Sequence, residues 1–381
     1  MTGKAEGDVI AVVSETPNNQ GSRAVSVALC VDGEAYTRLH RVLRNLVIGL
    51  IDHAVAVQLI CPDERIQELS FGPIRTVVHQ PVTWLAGNRR IAKVLELLAP
   101  SPPTIVHAVS VGSYELASAI AEVYEADLVI QVTSLADCEG LAQVEDARVG
   151  AYLPYSLPLA QVLREQFRTA PEKTELIRPG VLASQEIACF SSPNRRPTLL
   201  CTTDFDKHGG VDRLVDAARI LRERGRDLLV FLLGTGPQET NLRRQVIDKG
   251  MSSCITFARP WGDPADTMKS SDLYVRPADN GTFLINPLQA MGIGMAVVAH
   301  PCAVSDYLRD GETALLDSGS TPEATADLID TLLTDRAYAK RIATTGRDFV
   351  RTYHPMSGMA DRTAAVYRKL DLSHATFPLK E

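Results

Sequence analysis

The sequence predicts an α/β protein made of two doubly wound parallel-sheet domains that face each other across a cleft. Three observations predict it. Short β-branched runs alternate with longer helical patterns from end to end, the order of a parallel sheet covered on both faces. The strand candidates are near-continuous apolar runs rather than alternating ones, as strands buried on both sides must be. The chain has 381 residues, whereas single cores stop growing at roughly 250–300 residues.

In the first half the strand candidates are Val25–Val31, Ala54–Ile60, Arg75–His79, Thr104–Ala108, Asp127–Thr133, Arg148–Tyr152 and Glu175–Arg178. Helical patterns lie at Tyr36–Leu50, Asn88–Leu98, Tyr114–Val123 and Pro158–Phe167. In the first of these, Leu39, Val42, Leu43, Leu46 and Val47 recur at helical spacing and give one apolar face,. The second half repeats the scheme. Its strands read as Pro197–Thr202, Asp227–Leu233, Cys254–Ala258, Leu273–Arg276, Ala296–Ala299 and Ala314–Leu316. Its helices read as Val211–Glu223, Glu239–Lys249, Pro264–Ser270, Pro287–Met291, Pro322–Leu332, Arg336–Thr345 and Met359–Lys369. Asn286 before Pro287 reads as an N-cap followed by Pro at the first helical position,.

Cys189–Pro197 is polar and flanked by proline, the best linker in the chain,. It divides the sequence into a first domain over 1–188 and a second over 189–353. The final segment, 354–381, reads as a helix packing back on the first domain, with Leu370–Glu381 a loose tail.

Composition narrows the function. Hydrophobic residues make up 45% and charged residues 22% of the chain, the ordinary globular balance, which excludes disorder and fibrous repeats. Lys and Arg number 39 against 46 Asp and Glu, a net charge of −7, with no basic stripe. A nucleic-acid partner is therefore not expected. The seven cysteines are scattered, odd in number and without a CxxC. That reads as buried free thiols in a reducing compartment. Neither a signal peptide nor the ~20 apolar residues of a membrane span is found, so a cytoplasmic place is expected. Peripheral contact with a membrane remains open, as does the oligomeric state.

Ligands in doubly wound sheets bind outside the strand C-termini, and with two domains the cleft between them is the expected site. Gly234-Thr235-Gly236-Pro237 sits between a strand and a helix. It reads either as a tight strand-to-helix turn or as glycines that let backbone amides approach a phosphate. The loop Asp204–Gly210, with Lys207 and Gly209, also joins a strand to a helix, and Lys207 either binds a diphosphate or is a solvated loop lysine,. Arg259 and Arg276 each end a strand; each either forks onto a phosphate or pairs with a neighbour such as Asp263 or Asp279. His107 ends a strand and reads as a core or rim histidine. Asp137 and Glu139, after the fifth strand, read either as acids that meet a ligand hydroxyl or, by preference, as a solvated loop, and His300 reads as structural.

Taken together, Pro197–Ala217, Leu232–Pro237, Ile255–Phe257, Ser271–Ala278 and Pro287–Ala299 resemble, in order and spacing, the group 1 (GT4-type) glycosyltransferase family. In the first half, Gly33-Glu34 resembles the family's Gly-Gly turn, Thr104–Ser110 its strand ending in histidine, and Leu176–Val181 its IPNGVD run. The resemblance implies a GT-B fold, two Rossmann-like domains across a cleft. It implies a UDP- or GDP-type sugar held by the second domain, an unidentified glycan, lipid or small-molecule acceptor held by the first, and retaining transfer with no metal or other cofactor.

The departures fall in the implied site. The family's E-x7-E acids fall on Gly281 and Gln289. Gln289 keeps an acceptor oxygen for a ribose, while Gly281 leaves the transferred sugar to neighbours such as Asn280 and Thr282. The family's histidine falls on Thr133, beside Ser134, and its first-strand arginine near Thr202. The resemblance thus implies Thr133, Asn280 and Thr282 as catalytic candidates. It implies Lys207, Gly209, Gly234, Gly236, Arg259, Arg276, Gly281, Phe283, Leu284 and Gln289 as donor-binding ones, and Gly33 and His107 on the acceptor or phosphate side. Two functions follow as expectations: a transferase, or a catalytically degenerate relative that binds a nucleotide sugar or a partner.

Overall fold

The structure, a computed structural model, describes residues 25–80, 87–192, 194–259 and 264–375. The first lobe runs β1 (Ser26–Cys30), α1 (Gly33–Asp52), β2 (Ala56–Cys61), β3 (Arg75–Val78), α2 (Gly87–Leu98), β4 (Ile105–Ala108), α3 (Tyr114–Tyr124), β5 (Asp127–Val132), α4 (Leu135–Gly140), β6 (Val149–Pro154) and α5 (Leu157–Gln166). The second runs β7 (Thr198–Thr202), α6 (Val211–Glu223), β8 (Leu229–Leu233), α7 (Glu239–Asp248), β9 (Ile255–Ala258), α8 (Pro264–Lys269), β10 (Leu273–Arg276), α9 (Ile285–Ile293), β11 (Ala296–Ala299), β12 (Leu315–Leu316), α10 (Pro322–Thr334) and α11 (Arg336–Tyr353). A last helix, α12, spans Met356–Ala375.

Both sheets are parallel and six-stranded, ordered β3-β2-β1-β4-β5-β6 and β12-β11-β10-β7-β8-β9. Each order reverses once, at β1/β4 and at β7/β10, and the crevice at such a switch point is where doubly wound sheets bind ligands. α1 starts because Asp32 accepts a hydrogen bond from the Ala35 amide at 2.9 Å,. It then buries Leu39, Val42, Leu43, Leu46 and Val47, the stripe its periodicity predicts.

One core covers the first sheet and continues across the seam into Phe283, Leu288, Met291 and Tyr307 of the second lobe. A separate core lies on the far face of the second sheet, under α6 and α10. α12 returns to the first lobe and packs so closely on α1 that a Cβ on Gly49 would stand 2.4 Å from that of Ala360. Arg178 and Asp306 form a two-pronged ion pair between the lobes at 3.0 and 2.8 Å.

Several expectations need correction. Glu175–Arg178 is not a strand; it runs beside β6 through two backbone bonds, Glu175 to Tyr152 and Ile177 to Pro154. The tail expected from Leu370 is helical through Ala375, because Tyr367 anchors that helix in the core; 376–381 lie outside the described residues. α9 begins at Ile285, before the expected Asn286–Pro287 cap. A tertiary partner does the capping instead: the Ser305 hydroxyl accepts the Leu284 amide at 3.2 Å. α4 was not expected, although Ser134 caps it by accepting the Asp137 amide at 3.1 Å, a Ser-x-x-acid start signal. All seven cysteines are free, and all but Cys302 are buried.

Candidate functional site

A cavity of about 470 Å³ opens at the β7/β10 switch point. Lys207, His208, Gly210 and Arg213 line it from the loop after β7 and the first turn of α6. Ala278 and Asp279 line it from the end of β10, His300 from the end of β11, and Ser320 from the start of α10. α6 begins at Gly210, at φ +68°, with no side chain capping its first amides. Its N-terminal N–H groups and partial positive charge therefore lie beside the cavity. His300 is half-buried and holds the Pro301 carbonyl at 2.9 Å and the Ser320 hydroxyl at 3.0 Å. Asp212 and Asp216 also line the cavity, but Asp216 is neutralised by Lys249 at 2.6 Å.

Arg276 reaches across the same strand ends. Its Nε donates to the Ala278 carbonyl at 2.8 Å and its Nη1 to the Thr203 hydroxyl at 3.0 Å. Its guanidinium thus lies next to Thr202, where the resemblance would place an arginine. Arg259 is exposed at the end of β9, and the Asp263 considered as its partner lies outside the described residues.

Gly234 and Gly236 do not line the cavity. Their lack of side chains serves packing: a Cβ on Gly234 would stand 2.0 Å from the Thr203 carbonyl, and one on Gly236 2.4 Å from that of Phe205. The two strand-end loops are joined backbone to backbone, Phe205 N–H to Thr235 at 2.9 Å and Gln238 N–H to Phe205 at 2.8 Å. Gly209 is likewise buried, against the Asp204 carbonyl.

The other predicted residues meet at the seam between the lobes. The Phe283 amide donates to the Thr133 carbonyl at 2.8 Å and the Leu135 amide to the Gly281 carbonyl at 3.1 Å. Ser134 and Thr282 form an antiparallel bridge. Gly281 has φ +68°, a left-handed conformation that glycine adopts without strain. Asn280 is exposed. Phe283 is fully buried among Tyr155, Tyr307 and His354, and the Leu284 carbonyl accepts the Tyr307 hydroxyl. Gln289 meets the first lobe directly, accepting from Arg41 at 3.0 Å.

Asp137 organises the first-lobe side of this seam. It is 1% exposed, not the solvated loop acid that its sequence position suggests. It accepts the Thr133 amide and hydroxyl, both at 2.8 Å, and the Val111 amide at 2.9 Å. Arg38 then donates to the Thr133 hydroxyl at 3.0 Å. Arg38 and Arg41 carried no motif, but their spacing of three on α1 puts them on one helix face.

His107 is not on the cleft rim. It is fully buried and shares a 2.5 Å hydrogen bond with the Tyr367 hydroxyl, and burial lowers its pKa to about 3. Gly33 does lie at the first lobe's switch point, at the start of α1. There Asp32 also accepts the Ser110 hydroxyl. Among the described residues, no group of three or more His, Cys, Asp or Glu is arranged to hold a metal ion. No described helix is long and apolar enough to cross a membrane.

Residues 185–349 match the model of the family described as glycosyl transferases group 1. The chain is 26% identical over 181 residues to an alpha-D-kanosaminyltransferase of Streptomyces kanamyceticus, covering 46% of this chain and 47% of that one. It is 30% identical over 221 residues to a D-inositol 3-phosphate glycosyltransferase of Corynebacterium glutamicum, covering 51% of each. It thus spans about half the length of these curated relatives. Among solved structures, a glycosyltransferase from Rickettsia africae superposes with a TM-score of 0.74 at 14% identity, over 92% of this chain and 99% of that one. Anabaena HepE in complex with UDP-glucose superposes with a TM-score of 0.74 at 14% identity, over 91% and 100%. The chain has the GT-B fold, and over residues 185–349 it is similar to the group 1 glycosyl transferases.

Proposed function

We propose that the protein is a glycosyltransferase that takes a UDP- or GDP-type sugar as donor and passes the sugar, with retention of configuration, to a glycan, lipid or small-molecule acceptor. The observation that carries this reading is the cavity at the β7/β10 switch point, with Lys207 and the uncapped start of α6 at its wall. A departing nucleoside diphosphate gains negative charge as the glycosidic bond breaks. An ammonium, a guanidinium and aligned backbone N–H groups stabilise that charge where it develops. Lys207 and Arg276 supply the cations in this scheme, and the first turn of α6 supplies the amides. An oxocarbenium-like sugar centre gains from fixed dipoles, so the route does not require a carboxylate at position 281. The relatives' names support donors of this class, among them a GDP-mannose-dependent mannosyltransferase of Mycobacterium tuberculosis, 25% identical over 207 residues. The test is incubation with a panel of nucleotide sugars, reading free nucleoside diphosphate. The absence of both release and binding with every donor sinks the proposal.

A second reading, a catalytically degenerate binder, has its own support. The Phe283 and Leu284 amides, which could otherwise meet a phosphate, are already taken by Thr133 and Ser305. Gln289 is engaged by Arg41. If Gly281→Glu with Gln289→Glu creates transfer that the parent lacks, this second reading wins.

A further inference from the structure

We propose that Arg38 supplies an oxyanion-binding guanidinium from the first lobe to the interlobe site, for a phosphate of the donor or a carboxylate on its sugar. The inference rests on the donor-binding reading above and adds to it a first-lobe residue that no motif marks.

Arg38 and Arg41 lie on one face of α1 and both reach the seam. The Arg38 Nη2 donates to Thr133 Oγ1, but its Nη1 is buried with no hydrogen-bond partner. A guanidinium stays charged at every working pH and has five N–H groups to place. Leaving one out of water without an acceptor is costly. Thr133 brings no counter-charge, because its own hydroxyl proton goes to Asp137. The Asp137 carboxylate already serves three donors and stands behind Thr133. Across the seam, Gly281 has no side chain and Gln289 is an amide, while the Asp279 carboxylate beside them is already engaged by the Gly281 amide at 3.1 Å. Arg38 is half-buried as a whole, and its Nη1 is left at the seam without an acceptor. Its planar fork fits phosphate and carboxylate oxygens.

Titration calorimetry on the full chain tests this with UDP, UDP-glucose and UDP-glucuronate, and in parallel with GDP, GDP-mannose and GDP-mannuronate. The wild type is compared with Arg38→Gln and Arg38→Lys. Arg38→Gln is expected to weaken binding about 10- to 100-fold, the effect of losing a charge-assisted hydrogen bond. Arg38→Lys recovers only part of it, because a point charge lacks the fork. A full loss already with the bare diphosphate assigns the phosphate, and a loss confined to the uronate donors assigns the carboxylate. Equal affinities in wild type and Arg38→Gln overturn the inference, as does a loss confined to neutral sugar nucleotides, which would mean a hydroxyl contact. Should Arg38→Gln fail to fold, Arg38→Lys carries the test, and wild-type affinity in that variant overturns it. If the wild type binds none of the six, it is the donor reading that fails.

Discussion

The Phe283 amide of the second lobe donates to the Thr133 carbonyl of the first at 2.8 Å, so the two lobes meet backbone to backbone at two of the candidate site residues. Thr133 holds this position because Asp137 fixes both its amide and its hydroxyl.

Asp137→Ala should therefore destabilise the fold. It leaves three buried donors without an acceptor, and each hydrogen bond to a charged group is worth about 1.5–3 kcal/mol. Since losses within one network do not add, a total of about 3–5 kcal/mol is expected. Urea unfolding checks it, and a loss below about 1 kcal/mol would contradict the network.

Gln289→Glu should tighten the seam. The substitution turns the Arg41 contact at 3.0 Å into an ion pair in a half-buried setting, worth about 0.5–1 kcal/mol in the folded state. A melting temperature raised by about 1–3 °C in calorimetry is the expected outcome for a chain of this size. An unchanged or lower value would argue that the pair is already offset by other charges.

Gly234→Ala tests why the glycine turn exists. The added methyl would stand 2.0 Å from the Thr203 carbonyl, a backbone atom that cannot rotate away. A loss of about 2–3 kcal/mol is expected from overpacking, and nucleotide affinity should fall with it as the β7 loop carrying Lys207 shifts. Full stability with lost affinity would instead mean that the turn meets the ligand directly.

The buried histidines set an acid limit. Burial lowers the pKa of His107 to about 3 and that of His354 to about 4, against about 6.5 in an unfolded chain. The unfolded state then binds protons that the folded state refuses, so stability falls as pH drops from about 6.5 towards about 4. Each histidine contributes a loss of about 2 kcal/mol between pH 7 and 5. Denaturant unfolding of His107→Gln at both pH values should show a pH dependence smaller by about that amount. An unchanged slope would show that His107 takes up its proton in the folded protein.

How much of this was legible in the sequence follows from range. Apolar runs and helical spacing are local, so the twelve strands among the described residues and the stripe of α1 could be read directly. Glu175–Arg178 was misread because an extended segment needs a neighbour on each side to become a ladder, and that is a tertiary fact. The start of α9 was misplaced for the same reason: Ser305, distant in sequence, does what a local cap would do. Asp137 was read as a solvated acid because nothing local announces the three donors that bury it.

By itself the chain's order of residues determined two doubly wound lobes and the loops that could carry a nucleotide. Only the tertiary structure decided that Gly234 and Gly236 serve packing, that His107 lies under Tyr367, and that Arg38 and Arg41 face the seam. The physical reason is that strand and helix formation depend on neighbours along the chain. A charge at an interface is set instead by groups that come together only when both lobes have folded and α12 has closed back onto the first.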